Sequence, residues 1–225
     1  AGRGCMTVWR AVEAERLMLY SPIGLHLIDD FTGQPPIGAL QILLDRHLPS
    51  GEWEPTGIEG VRTPGDVIAY PGLGRSAHAA TQPAVRYRVR IEAPQYRPHY
   101  LMTDAGIEFD ADPYDDVTPP ATIPPMPQQV FLLPAPSYPF QTHVRVVRGV
   151  LQDASSQPIA NAEVTEGANE RVLSDERGVF ALPLRWSPLS GPVQIDAIDH
   201  RTGASGQITV TLPADLTRGD LINLN

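Results

Sequence analysis

The segment DFTGQPPIGA at 30–39 returns as DASSQPIANA at 153–162, an offset of 123, with Asp, Gln, Pro and Ala in the same places. Two more blocks follow in the same order. DVIAYPGL (66–73) lies over GVFALPL (178–184), and VRIEAPQYR (89–97) lies over VQIDAIDHR (193–201), with Glu92 opposite Asp196. Three blocks in one order are the trace of a duplication followed by drift. A chain written twice must fit its fold into about half its length, and 225 residues accommodate two domains. With 24 prolines and 19 glycines, the elements of that fold are short and joined by turns.

The local patterns say which elements these are. GLHLIDD alternates and breaks at FTGQPP, whose Gly and Pro are turn chemistry, and GALQILLDRH is the return strand. DVIAYPGL, VRYRVRIEAP and QVFLLPAP are further β-prone runs bounded by Pro or Gly. In VRYRVRIEA, Tyr87, Val89 and Ile91 share one face and Arg86, Arg88 and Arg90 the other, which predicts an antiparallel strand with one wet face. Residues 104–129 are acidic and then proline-rich, and their second half is expected as extended chain lying over the surface. HVRVVRGVLQD opens a second domain, with the boundary near Phe140. TVWRAVEAERLMLY (7–20) lacks a clean helical period and reads as an N-terminal arm, packed on its own domain or docked on a partner.

VRGVLQDASSQPIANAEV, SDERGVFALPL and VQIDAIDHRTG together resemble the carboxypeptidase regulatory-like domain. That resemblance implies a seven-stranded Greek-key β-sandwich of transthyretin (prealbumin) type, in which Ser156 replaces the usual turn glycine and Gly178 keeps the hairpin position. The first copy, HLIDDFTGQPP, has the spacing of the entry motif of 5-hydroxyisourate hydrolase, the enzyme of the transthyretin family, at His26, Asp29, Gly33 and Pro35. The rest of that family's catalytic set is missing. TPGDVI (63–68) lacks the arginine, Gln129 stands where the second histidine belongs, and the closing Tyr-Arg-Gly-Ser is absent. Opening a ring with water needs a base, a cation for the developing oxyanion and a proton donor within mutual reach.

Composition narrows the chemistry further. The net charge of −9 argues against a non-specific nucleic-acid binder. All 17 cations are arginines, which removes Schiff-base chemistry and the phosphate-loop lysine. Cys5 stands alone, so no internal disulfide framework or multi-cysteine zinc site is expected, and manufacture in the cytoplasm is the default. No apolar run approaches the ~18 residues that span a bilayer, and no signal peptide is read. AGRGC ahead of Met6 reads as an upstream start.

Four candidate constellations remain. Asp110, Asp112, Asp115 and Asp116 offer alternating carboxylates to a calcium ion, or are solvated loop acids. Trp53, Trp186, Tyr70, Tyr114 and Tyr138 form a sugar-stacking platform or pack in cores. GLGRSAH (72–78) is a glycine-bearing loop with no helix behind it, a weak phosphate cradle. His99, in YRPHY, reads as a strand end packing Tyr96 and Tyr100, and no G-x-S-x-G occurs. The expectation is therefore an all-β protein of two consecutive antiparallel Greek-key β-sandwiches of transthyretin type, at 21–140 and 141–225, behind an N-terminal arm at 1–20. No catalytic, cofactor or metal residues are assigned. The expected role is a non-enzymatic structural or adaptor protein whose partners are other subunits of an assembly, such as a phage tail or phage-like contractile injection particle. The expectation includes no nucleic acid and no membrane insertion. A carbohydrate-binding or cell-surface module is the alternative, and a divergent 5-hydroxyisourate hydrolase a further one.

Overall fold

The computed structural model describes residues 18–217 and 219–225, so the expected N-terminal arm lies almost wholly outside the described residues. The chain is all-β, with antiparallel-rich sheets and three short 3-10 turns as its described helical elements. Its strands are β1 Gly24–Asp29, β2 Gln41–His47, β3 Trp53–Pro55, β4 Val61–Arg62, β5 Val67–Ala69, β6 Val85–Glu92, β7 Tyr96–Pro98, β8 Ile107–Ala111 and β9 Gln128–Pro134. They continue as β10 Val146–Gln152, β11 Glu163–Glu166, β12 Glu170–Leu173, β13 Val179–Pro183, β14 Gly191–Ile198, β15 Ser205–Leu212 and β16 Gly219–Asn223.

Up to residue 134 the strands form two sheets, ordered β4-β5-β1-β9-β7 and β3-β2-β6-β8. Beyond it they form two more, ordered β13-β10-β16 and β12-β11-β14-β15. The pairing scheme recurs in chain order. β1 sits between an antiparallel β5 and a parallel β9, as β10 sits between an antiparallel β13 and a parallel β16. Register recurs as well, since His26 faces Val67 where Val150 faces Val179.

Alternation produces the cores. Along β6, Tyr87, Val89 and Ile91 are buried, as their spacing predicts, and they pack with Leu25, Leu44, Ile68 and Leu132. In the second half Val147, Leu151, Val164, Phe180, Ile195 and Ile222 form a separate apolar cluster. Each such side chain contributes about 1.5–3 kcal/mol by leaving water. The arginine face of β6 is drier than expected at one point. Asp45 is 1% exposed there, taking hydrogen bonds from Arg90 Nε (2.7 Å) and Arg88 Nη2 (2.9 Å).

The turns explain the repeated residues. Asp153 N–H donates to Gln157 O and its carboxylate accepts from Ser155 and Gln157 N–H, with Ser156 at φ 61°. In the first copy the residue doing this is Asp29, whose N–H donates to Gln34 O, with Gly33 at φ 69°. The first loop is therefore one residue longer, and Asp29, not Asp30, takes the place of Asp153. The 175–179 hairpin likewise repeats the 63–67 hairpin, with Gly178 at φ 72° where Asp66 stands at φ 61°.

A Cβ on Gly178 would sit 2.3 Å from Leu151 O, against backbone that holds β10 in place. Gly178→Ala combines that clash with a left-handed φ, so urea unfolding is expected to show a loss of about 2 kcal/mol or more. Ser156→Gly relieves the same left-handed strain without a clash and is expected to gain up to about 1 kcal/mol.

Candidate functional site

The most elaborate polar chemistry in the molecule lies where its two halves meet. Leu133 on β9, Leu173 on β12 and Met102 of the 3-10 turn His99–Met102 bury one another, with Phe131 and Leu101 packed alongside. Around this apolar centre three arginines cross the seam. Arg171 holds Asp30 through Nε (3.1 Å) and Nη2 (2.8 Å). Arg185 holds the buried Glu170 (2.6 and 3.1 Å), donates to Phe31 O (2.5 Å) and lies 4.0 Å over the Phe31 ring. Arg97 reaches Glu176 (2.7 Å) and donates twice to Asn161 Oδ1. The planar guanidinium fork suits these two-point contacts in a way a lysine ammonium does not.

His99 completes the seam. Arg171 Nη1 lies 3.4 Å from His99 Nε2, and a guanidinium has no acceptor, so Nε2 accepts and the ring is neutral. Burial first and the neighbouring Arg171 second push the His99 pKa below its ordinary 6.5, against smaller opposing effects of Glu163 and Asp30. His99 is thus a seam residue, while its neighbours Tyr96 and Tyr100 do pack, Tyr96 in the core and Tyr100 with its hydroxyl accepting Ile91 N–H (2.8 Å).

The residues singled out by sequence end up apart. His26 and Asp29 are three positions apart on β1 and so point to opposite faces. Asp29 is buried and accepts from the Tyr138 (2.8 Å) and Tyr96 (3.3 Å) hydroxyls and from Phe31 N–H (2.9 Å). Burial and this carboxylate push the Tyr138 hydroxyl pKa far up. His26 lies near Asp66, whose pKa is lowered chiefly by its hydrogen bond from Arg62 and only slightly by His26. Gly33 and Pro35 belong to the exposed turn.

Of the four acids, Asp110 is an exposed residue of β8 opposite Arg86, and the other three are taken up by turn N–H groups and one arginine. Asp115 accepts Val117 and Thr118 N–H (2.9 and 2.7 Å), Asp112 accepts Thr122 N–H (2.9 Å), and Asp116 pairs with Arg75 (2.6 Å). Among the described residues no three His, Cys, Asp or Glu side chains are placed to hold a metal ion. The aromatic platform does not form either. Tyr70, Tyr114 and Tyr138 are buried, Trp53 lies under the Arg88 guanidinium (4.5 Å) and against His47, and Trp186 stands alone at 70% exposure. GLGRSAH packs its backbone on Tyr114, with Tyr114 N–H donating to Gly74 O and Ser76 N–H to Tyr114 O, so those groups are not free for a phosphate. No described helix is long and apolar enough to cross a membrane.

Two clefts accompany the seam. One of about 790 Å³ runs beside it between Arg90, Arg97, Arg177 and Arg201, three of which pair with carboxylates at 2.9 Å or less and Arg201 with Asp199 at 2.9 Å. The other, about 530 Å³, opens between the first two sheets, lined by Leu27, Leu44, Ile58 and Ile68. Sequence reading missed the seam. Its one local signal is an acid, Asp30, in the turn that is one residue longer in the first half, where the second half has Ala154.

Folding lowers the His99 pKa, so below about pH 6.5 the unfolded chain binds the extra proton and the folded chain resists it. Stability is present above that pH and is lost as pH falls through the depressed value. Thermal melts between pH 8 and pH 5 are expected to fall along this limb, and His99→Gln to flatten it. Asp30→Ala leaves Arg171 without its carboxylate at a half-buried seam and is expected to cost about 1–2 kcal/mol in urea unfolding.

No protein-family model matches the chain, and no curated protein matches it. Among solved structures it is similar to the Bacillus anthracis TIE protein, at 10% identity and a TM-score of 0.28, over 92% of this chain and 33% of that one. It is also similar to a streptococcal ancillary pilin, at 12% identity and a TM-score of 0.26, over 92% of this chain and 63% of that one. The chain thus spans about a third of the first of these proteins and under two thirds of the second.

Proposed function

We propose that the chain is a pair of consecutive Greek-key β-sandwiches of transthyretin type, residues 21–140 and 141–225, locked into one stiff element. In this reading it serves as a non-enzymatic structural or adaptor subunit of a larger protein assembly. The observation that carries the reading is the seam, where Asp30–Arg171, Arg185–Phe31 and Arg97–Glu176 tie the halves around a buried Leu133–Leu173 contact. Polar side chains that a catalyst would aim into a cleft are here aimed at one another. The recurring strand order, with a first strand flanked by an antiparallel and a parallel neighbour in each half, supports the tandem reading. A stiff two-module spacer suits repetitive machinery, and a phage tail or phage-like contractile injection particle is a concrete host for it.

The test is the mass at which the native protein sediments from a gentle lysate of its own source. Migration in a particle far larger than the 24.5 kDa chain, with defined co-migrating proteins, is the expected result. A free monomer or small oligomer overturns the proposal.

A further inference from the structure

The loop between β13 and β14 holds two large apolar side chains in water, Trp186 at 70% and Leu189 at 81% exposure. The loop is not loose. The Arg145 guanidinium donates to Pro188 O (2.6 Å), Ser187 O (2.7 Å) and Leu184 O (3.1 Å), while Arg185 beside Trp186 is anchored on Glu170 and Phe31 O. All three Arg145 contacts are carbonyls, so its charge has no carboxylate partner among the described residues. An exposed aromatic on a backbone held in place, next to a cation bonded only to carbonyls, has the make-up of a protein-binding hot spot. Beside it lies a cleft of about 450 Å³ lined by Phe31, Val144, Leu184 and Leu189.

A surface of complementary chemistry exists on the same chain. Between β8 and β9, residues 115–127 carry no strand or helix, and Pro119, Pro120, Pro124, Pro125 and Pro127 keep them extended. Val117 (90%), Met126 (76%) and Ile123 (52%) are exposed along this segment. Its start is acidic. Asp116 pairs with Arg75, while Asp112 and Asp115 take only backbone N–H groups, and those of Thr118 and Val117 lower the Asp115 pKa. Pre-extended proline-rich chain docks on aromatic grooves with little ordering cost, and here the acidic flank would meet Arg145, whose partners in the structure are carbonyls.

One molecule does not make this contact with itself. The proline segment ends at Pro127 against Gly24, the first residue of β1, whereas Phe31, which takes the Arg185 hydrogen bond, lies beyond its last residue. Those ends are about 20 Å apart at ~3.3 Å per strand residue. We propose that the 115–127 segment of one copy seats on the Trp186–Leu189 loop of the next, a head-to-tail contact that propagates into a linear array. This rests on the structural-subunit reading and names one partner for it, a second copy of the chain.

Purified protein is expected to associate beyond a dimer with rising concentration in sedimentation velocity, more weakly in high salt because the flanking charges are screened. Trp186→Ala and the double variant Ile123→Ser, Met126→Ser each remove one exposed surface, so both are expected to fold and to associate about tenfold more weakly or less. Mixed together, each variant still offers the surface the other lacks, and the expected product is a dimer that grows no further. A parent chain that stays monomeric, a variant that assembles like the parent, or a mixture that yields no dimer overturns the inference. A monomeric purified chain that still travels in a large particle from its own source overturns only the self-contact and leaves the structural-subunit reading standing.

Discussion

Each half is closed by pairing its last strand in parallel with its first, β9 with β1 and β16 with β10. A parallel partner cannot be reached by a tight hairpin, so the chain must leave one sheet, cross and return. In the first half that crossing is the long proline-rich stretch before β9, and in the second it is the short stretch between β15 and β16. The same pairing carries β9 past Leu132 into Leu133, and the Leu133 side chain lands at the seam. The join between the halves is thus a by-product of how the first half is sealed, and the arginines around it reinforce a contact that topology has already made.

The seam uses arginine where another protein would mix in lysine, and the geometry turns that composition to advantage. Arg171 meets both oxygens of Asp30 while its remaining edge faces His99 and Phe131, three demands that only a planar, five-donor group satisfies. Asp45 shows the same economy within a sheet. Its carboxylate is held below the usual range first by the Arg90 hydrogen bond and also by Arg88, against the opposing effect of burial. Arg88 also lies over the half-exposed Trp53 ring, so the same ladder of charges covers an aromatic.

The periodicities legible in the sequence are those set by neighbours along the chain. The β6 alternation, the left-handed corners at Ser156 and Gly178 and the strandless proline stretch depend on a few adjacent residues and were readable for that reason. Side chains whose partners lie far along the chain were not. Asp29 matches a hydrolase-type motif by spacing, but spacing does not show that its partners are the distant Tyr96 and Tyr138 hydroxyls. The tyrosines looked available for sugar stacking because composition ignores that Tyr138 needs Asp29, and Tyr114 needs Tyr20, to bury a hydroxyl. The acids of FDADPYDD read as calcium ligands or as solvated loop acids, and what the sequence does not show is that turn N–H groups hold Asp112 and Asp115 and that Arg75 holds Asp116.

Divergence between the two copies is concentrated in the connections, and this decides what kind of contacts the molecule can make. The stretch from β3 to β5 contains β4 and the loop that walls the 530 Å³ cleft, whereas β12 reaches β13 through one tight turn. The crossing before β9 is acidic and proline-rich, whereas the corresponding region before β16 is short. The loop carrying Trp186 has no aromatic counterpart in the first half, where the matching position is Gly74. Halves that share a core but differ at their ends present unlike surfaces, and unlike surfaces that fit one another join head to tail, in rings or open chains rather than in a two-fold pair.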